Sequence, residues 1–96
     1  MVKQQRARRK GFVKVTFSLR PAEAATVHVM GDFNDWHPVH AMRRTDDGAW
    51  QLTLQLERGR KYQFKYLLDE TVWINDSEVE QSVANPYGGE NSVVAT

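Results

Sequence analysis

The stretch AWQLTLQLERGRKYQFKYLL, residues 49–68, decides the fold. Trp50, Leu52, Leu54 and Leu56 alternate with Gln51, Thr53 and Gln55, the period of a strand with one buried face. The segment ERGR then turns the chain. Beyond it Tyr62, Phe64, Tyr66 and Leu68 alternate with Gln63, Lys65 and Leu67.

The same period extends outward in both directions. Val13, Val15, Phe17 and Leu19 alternate with Lys14, Thr16 and Ser18, and Val27 and Val29 with His28 and Met30. TDDG is a strong turn signal, Val72 to Ile74 reads as a short strand, NPYGGEN as a loop and SVVAT as a last strand. PAEAA is too short to matter as a helix. The pattern predicts an all-β fold, an antiparallel sandwich of immunoglobulin-like type with about six to eight strands. No internal repeat is visible.

Ninety-six residues make one domain, and the apolar and charged fractions of 41% and 26% are ordinary for a globular chain. No cysteine is present, which fits a reducing compartment. No apolar run approaches the roughly 20 residues that cross a bilayer, and the N-terminal residues lack a secretory core. A cytoplasmic location without a membrane partner is therefore expected. Charge is uneven: Lys3, Arg6, Arg8, Arg9 and Lys10 are five of thirteen basic residues, and the remainder keeps eight basic against twelve acidic, a net of −4. Residues 1–10 are expected to be a disordered basic arm and residues 11–96 the folded domain. An acidic fold argues against nucleic acid as its partner, although the arm itself is compatible with tethering to an anionic surface.

Catalytic chemistry is hard to find. Nucleophilic catalysis needs an oriented base beside its nucleophile, and no cysteine or serine elbow supplies one. Asp32 and Asp35 read as residues capping their own turn. His28, His37 and His40 lack partners at a metal-ligand spacing. No enzyme activity, metal or cofactor is expected.

Three residues lie outside the core pattern. Trp36 sits in the loop GDFNDWHP, residues 31–38, Trp73 at the end of a hairpin, and Lys65 opposite the apolar face of its strand. Flat aromatic faces beside hydrogen-bonding groups suit a pyranose, whose C–H face packs on a ring while its hydroxyls meet amides and cations. The pattern equally allows each tryptophan to cap an end of the core. Gly31, Phe33, Asn34 and Pro86 are explained by the turn and loop they build.

Five motifs in order resemble one family: Gly-x-Phe-Asn-x-Trp at 31–36, Gly-x-Trp at 48–50, Tyr-x-Phe-Lys-Tyr at 62–66, Trp-x-x-Asp at 73–76 and Asn-Ser-Val-Val at 91–94. The chain from about residue 12 onward resembles carbohydrate-binding module family 48, the early-set immunoglobulin-like module of isoamylases, glycogen branching enzymes and the AMP-activated protein kinase β subunit. The resemblance implies a non-catalytic module for α-1,4-glucans such as glycogen, starch and maltooligosaccharides. It implies that Trp36 and Trp73 stack on glucose while Lys65 and Asn91 bond its hydroxyls, with Tyr87 where the kinase-type members carry a sugar-touching leucine. It also allows a scaffold role, with a glycogen- or starch-metabolising enzyme as partner in place of sugar. The chain departs from the kinase-type turn at Asp69–Trp73, which is one residue longer and lacks glycine. A one-residue change in a hairpin moves side chains to the other face, so the side taken by Trp73 has to be read from the structure.

Overall fold

The computed structural model describes residues 1–20, 23–79 and 81–96; Pro21 and Ala22 of PAEAA lie outside them. Among the described residues nine strands follow one another: β1 (Val2–Arg6), β2 (Phe12–Leu19), β3 (Val27–Gly31), β4 (Arg43–Arg44), β5 (Trp50–Glu57), β6 (Lys61–Leu68), β7 (Val72–Ile74), β8 (Gln81–Ala84) and β9 (Glu90–Ala95). A single 3₁₀ turn, Asp32–Asn34, follows β3, and the described residues contain no α-helix. The strands form two antiparallel sheets ordered β1-β2-β5-β4 and β3-β6-β9-β8. β7 pairs with the distal half of β6, beyond the reach of β9. This is an immunoglobulin-like early-set sandwich.

Register explains the alternation. Val13, Val15 and Phe17 lie opposite Leu56, Leu54 and Leu52, and Val29 lies opposite Tyr66. Val15, Phe17, Val29, Phe64 and Tyr66 have no exposed surface, and burying such a side chain contributes about 1.5–3 kcal/mol. Phe17 meets the Phe64 ring edge-on at 5.0 Å, and Phe64 meets Tyr66 at 5.7 Å. β5 is less buried than its pattern predicts, with Trp50, Leu52 and Leu54 only half covered. Its outer neighbour β4 has two residues, so little sheet extends over that flank.

The Trp-x-x-Asp motif also has a structural cause. Asp76 is buried, and its Oδ2 accepts the Tyr66 hydroxyl at 2.7 Å. The Asp76 amide donates to Ser92 Oγ at 2.9 Å, and Ser92 Oγ donates to Asn75 Oδ1 at 3.0 Å. Burial, then the Asp76 carboxylate, pushes the Tyr66 hydroxyl far above its ordinary range, so it remains a donor.

One expectation needs correction. The basic arm is not disordered over its length: Val2–Arg6 pair throughout with β2, Val2 opposite Phe17 and Arg6 opposite Val13. β2 offers a free row of amides and carbonyls on that side. Exposed charged side chains are well tolerated on an edge strand, which is why a run so rich in Arg and Lys conceals one. Gln4 Nε2 further ties the strand to the Ala95 carbonyl across the sandwich, at 2.8 Å. The ordered fold therefore includes residues assigned to the arm.

Candidate functional site

The outer face of the second sheet carries the residues that the alternation leaves over. Gln63 and Lys65 point outward from β6, and Met30 lies opposite Lys65 on β3. Trp73 lies opposite Leu67 on β7 and Asn91 lies near the start of β9. These side chains line an open groove of about 790 Å³, together with Trp36 from the β3–β4 loop and Tyr87 from the β8–β9 loop. All five residues singled out by the sequence, Trp36, Lys65, Trp73, Tyr87 and Asn91, reach it.

Trp36 is held by its loop rather than by the core. Gly31 is extended, and any Cβ there would collide with the Gln63 carbonyl oxygen and come within 2.9 Å of Phe64 Cβ. Close approach, not a positive φ, is what the glycine supplies. Phe33 anchors the loop against Phe17 at 5.5 Å, while Asn34 Oδ1 accepts the Gly31 amide and its Nδ2 donates to the Val29 carbonyl, both at 3.0 Å. The chain then turns through two left-handed residues, Asp35 (φ 52°) and Trp36 (φ 59°). Asp32 does more than cap its own turn. Its Oδ2 accepts the Gln63 amide on β6 at 2.8 Å, and its Oδ1 accepts the Trp36 indole Nε1–H at 3.2 Å. One carboxylate thus fixes the loop to the sheet and the ring to the loop. Asp35 is exposed beside it.

The hairpin settles the side of Trp73. Asp69 (φ 51°) and Glu70 (φ 64°) form a left-handed turn without glycine, closed by the Thr71 amide donating to the Leu68 carbonyl at 3.0 Å. Asp69 Oδ1 accepts the amides of Ala25 and Thr26 at 2.7 and 3.0 Å, which holds the unusual backbone in place. Leu68 pairs with Val72 and Leu67 with Trp73. Residues directly opposite share a face, so Trp73 stands on the side of Lys65. Its ring lies 6.4 Å from that of Trp36, the planes inclined by 50°. Trp73 remains 46% exposed and Tyr87 94%.

The polar residues divide into presented and supporting ones. Lys65 Nζ donates to the Glu90 carbonyl at 3.2 Å, which lays its stem along the groove and uses one of three donors. Asn91 is only 8% exposed. Its Nδ2 donates to Gln63 Oε1 at 3.0 Å and its Oδ1 accepts from Asn85 Nδ2 at 3.2 Å. Asn85 Oδ1 in turn accepts the amides of Tyr87 and Gly89 at 2.9 and 3.1 Å, shaping the loop that carries Tyr87. Sequence reasoning missed Asp32 as a cross-strand tie, and missed Gln63 and Asn85; only the parity of Gln63 with Lys65 signalled any of them. Among the described residues no group of three or more His, Cys, Asp or Glu side chains is placed to hold a metal.

The family model described as the glycogen recognition site of AMP-activated protein kinase matches residues 13–95. The chain belongs to this family. It is thus a carbohydrate-binding module of the glycogen-binding type. Over 52 residues it is 40% identical to the 1,4-alpha-glucan branching enzyme GlgB 2 of two strains of Xanthomonas campestris pv. campestris. That alignment covers 52% of this chain and 7% of the enzymes, so the chain is similar to a small part of much longer proteins. In structure, the module is similar to part of the enterobactin esterase FES from Shigella flexneri, with a TM-score of 0.79 and 18% identity over 98% of this chain and 32% of that one. At that identity the likeness shows the fold alone.

Proposed function

We propose that the groove binds a short α-1,4-linked glucan segment, as found in glycogen, starch and maltooligosaccharides, and performs no chemistry on it. The observation that carries this reading is the inclined pair of tryptophans with Lys65 on the same face. An α-1,4 linkage turns each glucose plane relative to the last, so two platforms inclined by 50° suit successive faces of a curved chain. A β-1,4 chain is a flat ribbon and calls for coplanar platforms. Lys65 donates to sugar hydroxyls. Asn91, buried with both polar atoms engaged, acts through Gln63, whose Oε1 it occupies so that the Gln63 NH₂ group donates into the groove. Tyr87 closes the rim.

Two stacking contacts contribute about 1 kcal/mol each and each hydrogen bond to a sugar hydroxyl about 0.5–1.5 kcal/mol, which together place one site at about millimolar affinity. A polymer with many such segments raises the effective affinity through multivalency. Glycogen as ligand fits a cytoplasmic location.

The test is a titration with maltoheptaose and β-cyclodextrin, following tryptophan fluorescence and amide shifts, with cellohexaose as control. Binding of the α-glucans, loss of binding in Trp36→Ala and indifference to cellohexaose are expected. No response at millimolar α-glucan overturns the reading and favours a protein-docking face, the role the exposed Trp73 and Tyr87 would then serve.

A further inference from the structure

The sandwich joins two basic turns that are far apart in sequence. The β1–β2 turn brings Arg6, Arg8, Arg9 and Lys10, and the β5–β6 turn brings Arg58, Arg60 and Lys61, all exposed. They lie at one pole because β5 crosses there from the first sheet to the second as β6. The turns are laced together: the Arg58 amide donates to the Gly11 carbonyl at 2.9 Å. Thr96 Oγ accepts the Arg60 amide at 3.1 Å and donates to the Glu57 carbonyl at 2.6 Å. Within these segments the only acidic residue is Glu57, already bonded to Arg60 Nε at 2.9 Å. The rest of the chain keeps six basic residues against eleven acidic ones, a net of −5. Asp69 and Glu70 stand at the far end of β6, about 24 Å away at strand spacing and several screening lengths of roughly 8 Å.

We propose that this pole is a docking surface for an anionic phospholipid bilayer. Among the described residues no helix is long and apolar enough to cross a membrane, which concerns insertion and leaves surface docking open. Shape selects this partner among polyanions. The pole is blunt, formed by the ends of three adjacent strands of one sheet and two of the other. With sheets about 10 Å apart and strands about 4.8 Å apart, its long side chains make it broader than a DNA major groove of about 12 Å. Single-stranded nucleic acid needs aromatic platforms, and here the Phe12 ring is covered by the Arg9 guanidinium at 4.0 Å. A flat array of lipid phosphates can meet both turns at once, and guanidinium groups bind phosphate in bidentate fashion. The glucan groove lies on a flank of the sandwich and stays open to solvent.

The experiment is co-sedimentation of the full chain with vesicles of equimolar phosphatidylglycerol and phosphatidylcholine, against pure phosphatidylcholine, at about 0.1 M ionic strength. Binding to the anionic vesicles that weakens with added salt is expected. Each cation removed lowers partitioning about fivefold. Arg58→Gln with Lys61→Gln therefore lowers it about 25-fold, and Arg8→Gln, Arg9→Gln and Lys10→Gln together about a hundredfold. Arg43→Gln with Arg44→Gln, at β4, removes the same charge as the first pair and changes partitioning less than about twofold. Maltoheptaose titration of every variant is unchanged. Absence of binding, equal binding to neutral vesicles, an Arg58/Lys61 variant that binds like the wild type, or tighter binding to a random DNA duplex or to polyglutamate each overturns the proposal.

Discussion

Asp32→Ala tests the link between the loop and the groove. The Asp32 carboxylate accepts two hydrogen bonds, from the Gln63 amide at 2.8 Å and from the Trp36 indole at 3.2 Å. The first joins the loop to the strand that carries Lys65, and a hydrogen bond to a charged group contributes about 1.5–3 kcal/mol. Both bonds are solvent-exposed, and water can replace the lost acceptor, so the low end, about 1.5 kcal/mol, is expected. For a domain of this size that is a fall in Tm of about 6–12 °C. The second bond costs no fold stability but frees the Trp36 ring. Reordering one side chain on binding costs about 0.5–1.5 kcal/mol, which weakens maltoheptaose binding about two- to twelvefold. Calorimetric titration gives the affinity, thermal denaturation the stability, and the Trp36 indole proton shift the bond itself. Asp32→Asn keeps one acceptor oxygen and presents an NH₂ group to the other donor, so it recovers one effect and not both. A variant with lowered Tm but unchanged affinity and indole shift would show that Asp32 serves the fold alone and would refute the positioning role.

Three further outcomes follow from single contacts. Glu70→Gly removes a left-handed strain of about 1–2 kcal/mol against a glycine entropy cost of about 0.5–1 kcal/mol; chemical denaturation should show a gain in stability, and a loss would mean Glu70 makes a contact of its own. Tyr66→Phe withdraws a donor from buried Asp76 and should cost about 1–3 kcal/mol, read as a lower urea midpoint at unchanged m-value. Asp47 is held at about 2, below its ordinary 3.8, by the Thr45 hydroxyl first and then Arg20. Its folded pKa is lowered, so its contribution is present above 3.8 and lost as pH falls toward about 2. Carboxyl NMR should show the midpoint rising further in Thr45→Val than in Arg20→Gln.

The core was legible because period-two alternation states which face of each strand is buried, and Val15, Phe17, Phe64 and Tyr66 obey it. Alternation does not state which strands are neighbours. β1 was missed because its neighbour could not be known, and five charges in ten residues hid an edge strand. β8 escaped because Gln81-Ser82-Val83-Ala84 carries a single large apolar residue. The basic pole is illegible for the same reason, since the turns that carry Arg9 and Arg58 come together only once β2 and β5 are paired. In the site, the aromatic residues stood out because no turn needs them. The resemblance assigns Asn91 to the sugar hydroxyls, and its place beneath Gln63 depends on the register of β9 against β6, which no local pattern records.

The backbone strain of the described residues converges on the same groove. The non-glycine residues with positive φ are Asp35, Trp36, Asp69 and Glu70. They form two turns: one contains Trp36 itself, and the other lies three residues before Trp73. A left-handed conformation costs an ordinary residue about 1–2 kcal/mol and persists only where its surroundings enforce it. Both turns are enforced in the same way, by an aspartate whose carboxylate accepts amides from another part of the chain: Asp32 from Gln63, and Asp69 from Ala25 and Thr26. An exposed ring on a slack loop would be ordered anew at every binding event, at about 0.5–1.5 kcal/mol each, comparable with what one stacking contact returns. A shallow site with two such contacts can be useful only if its rings are fixed beforehand. On the proposed function, the two carboxylate clamps hold the backbone that carries these rings, which accounts for a tryptophan in a turn that has no structural need of one.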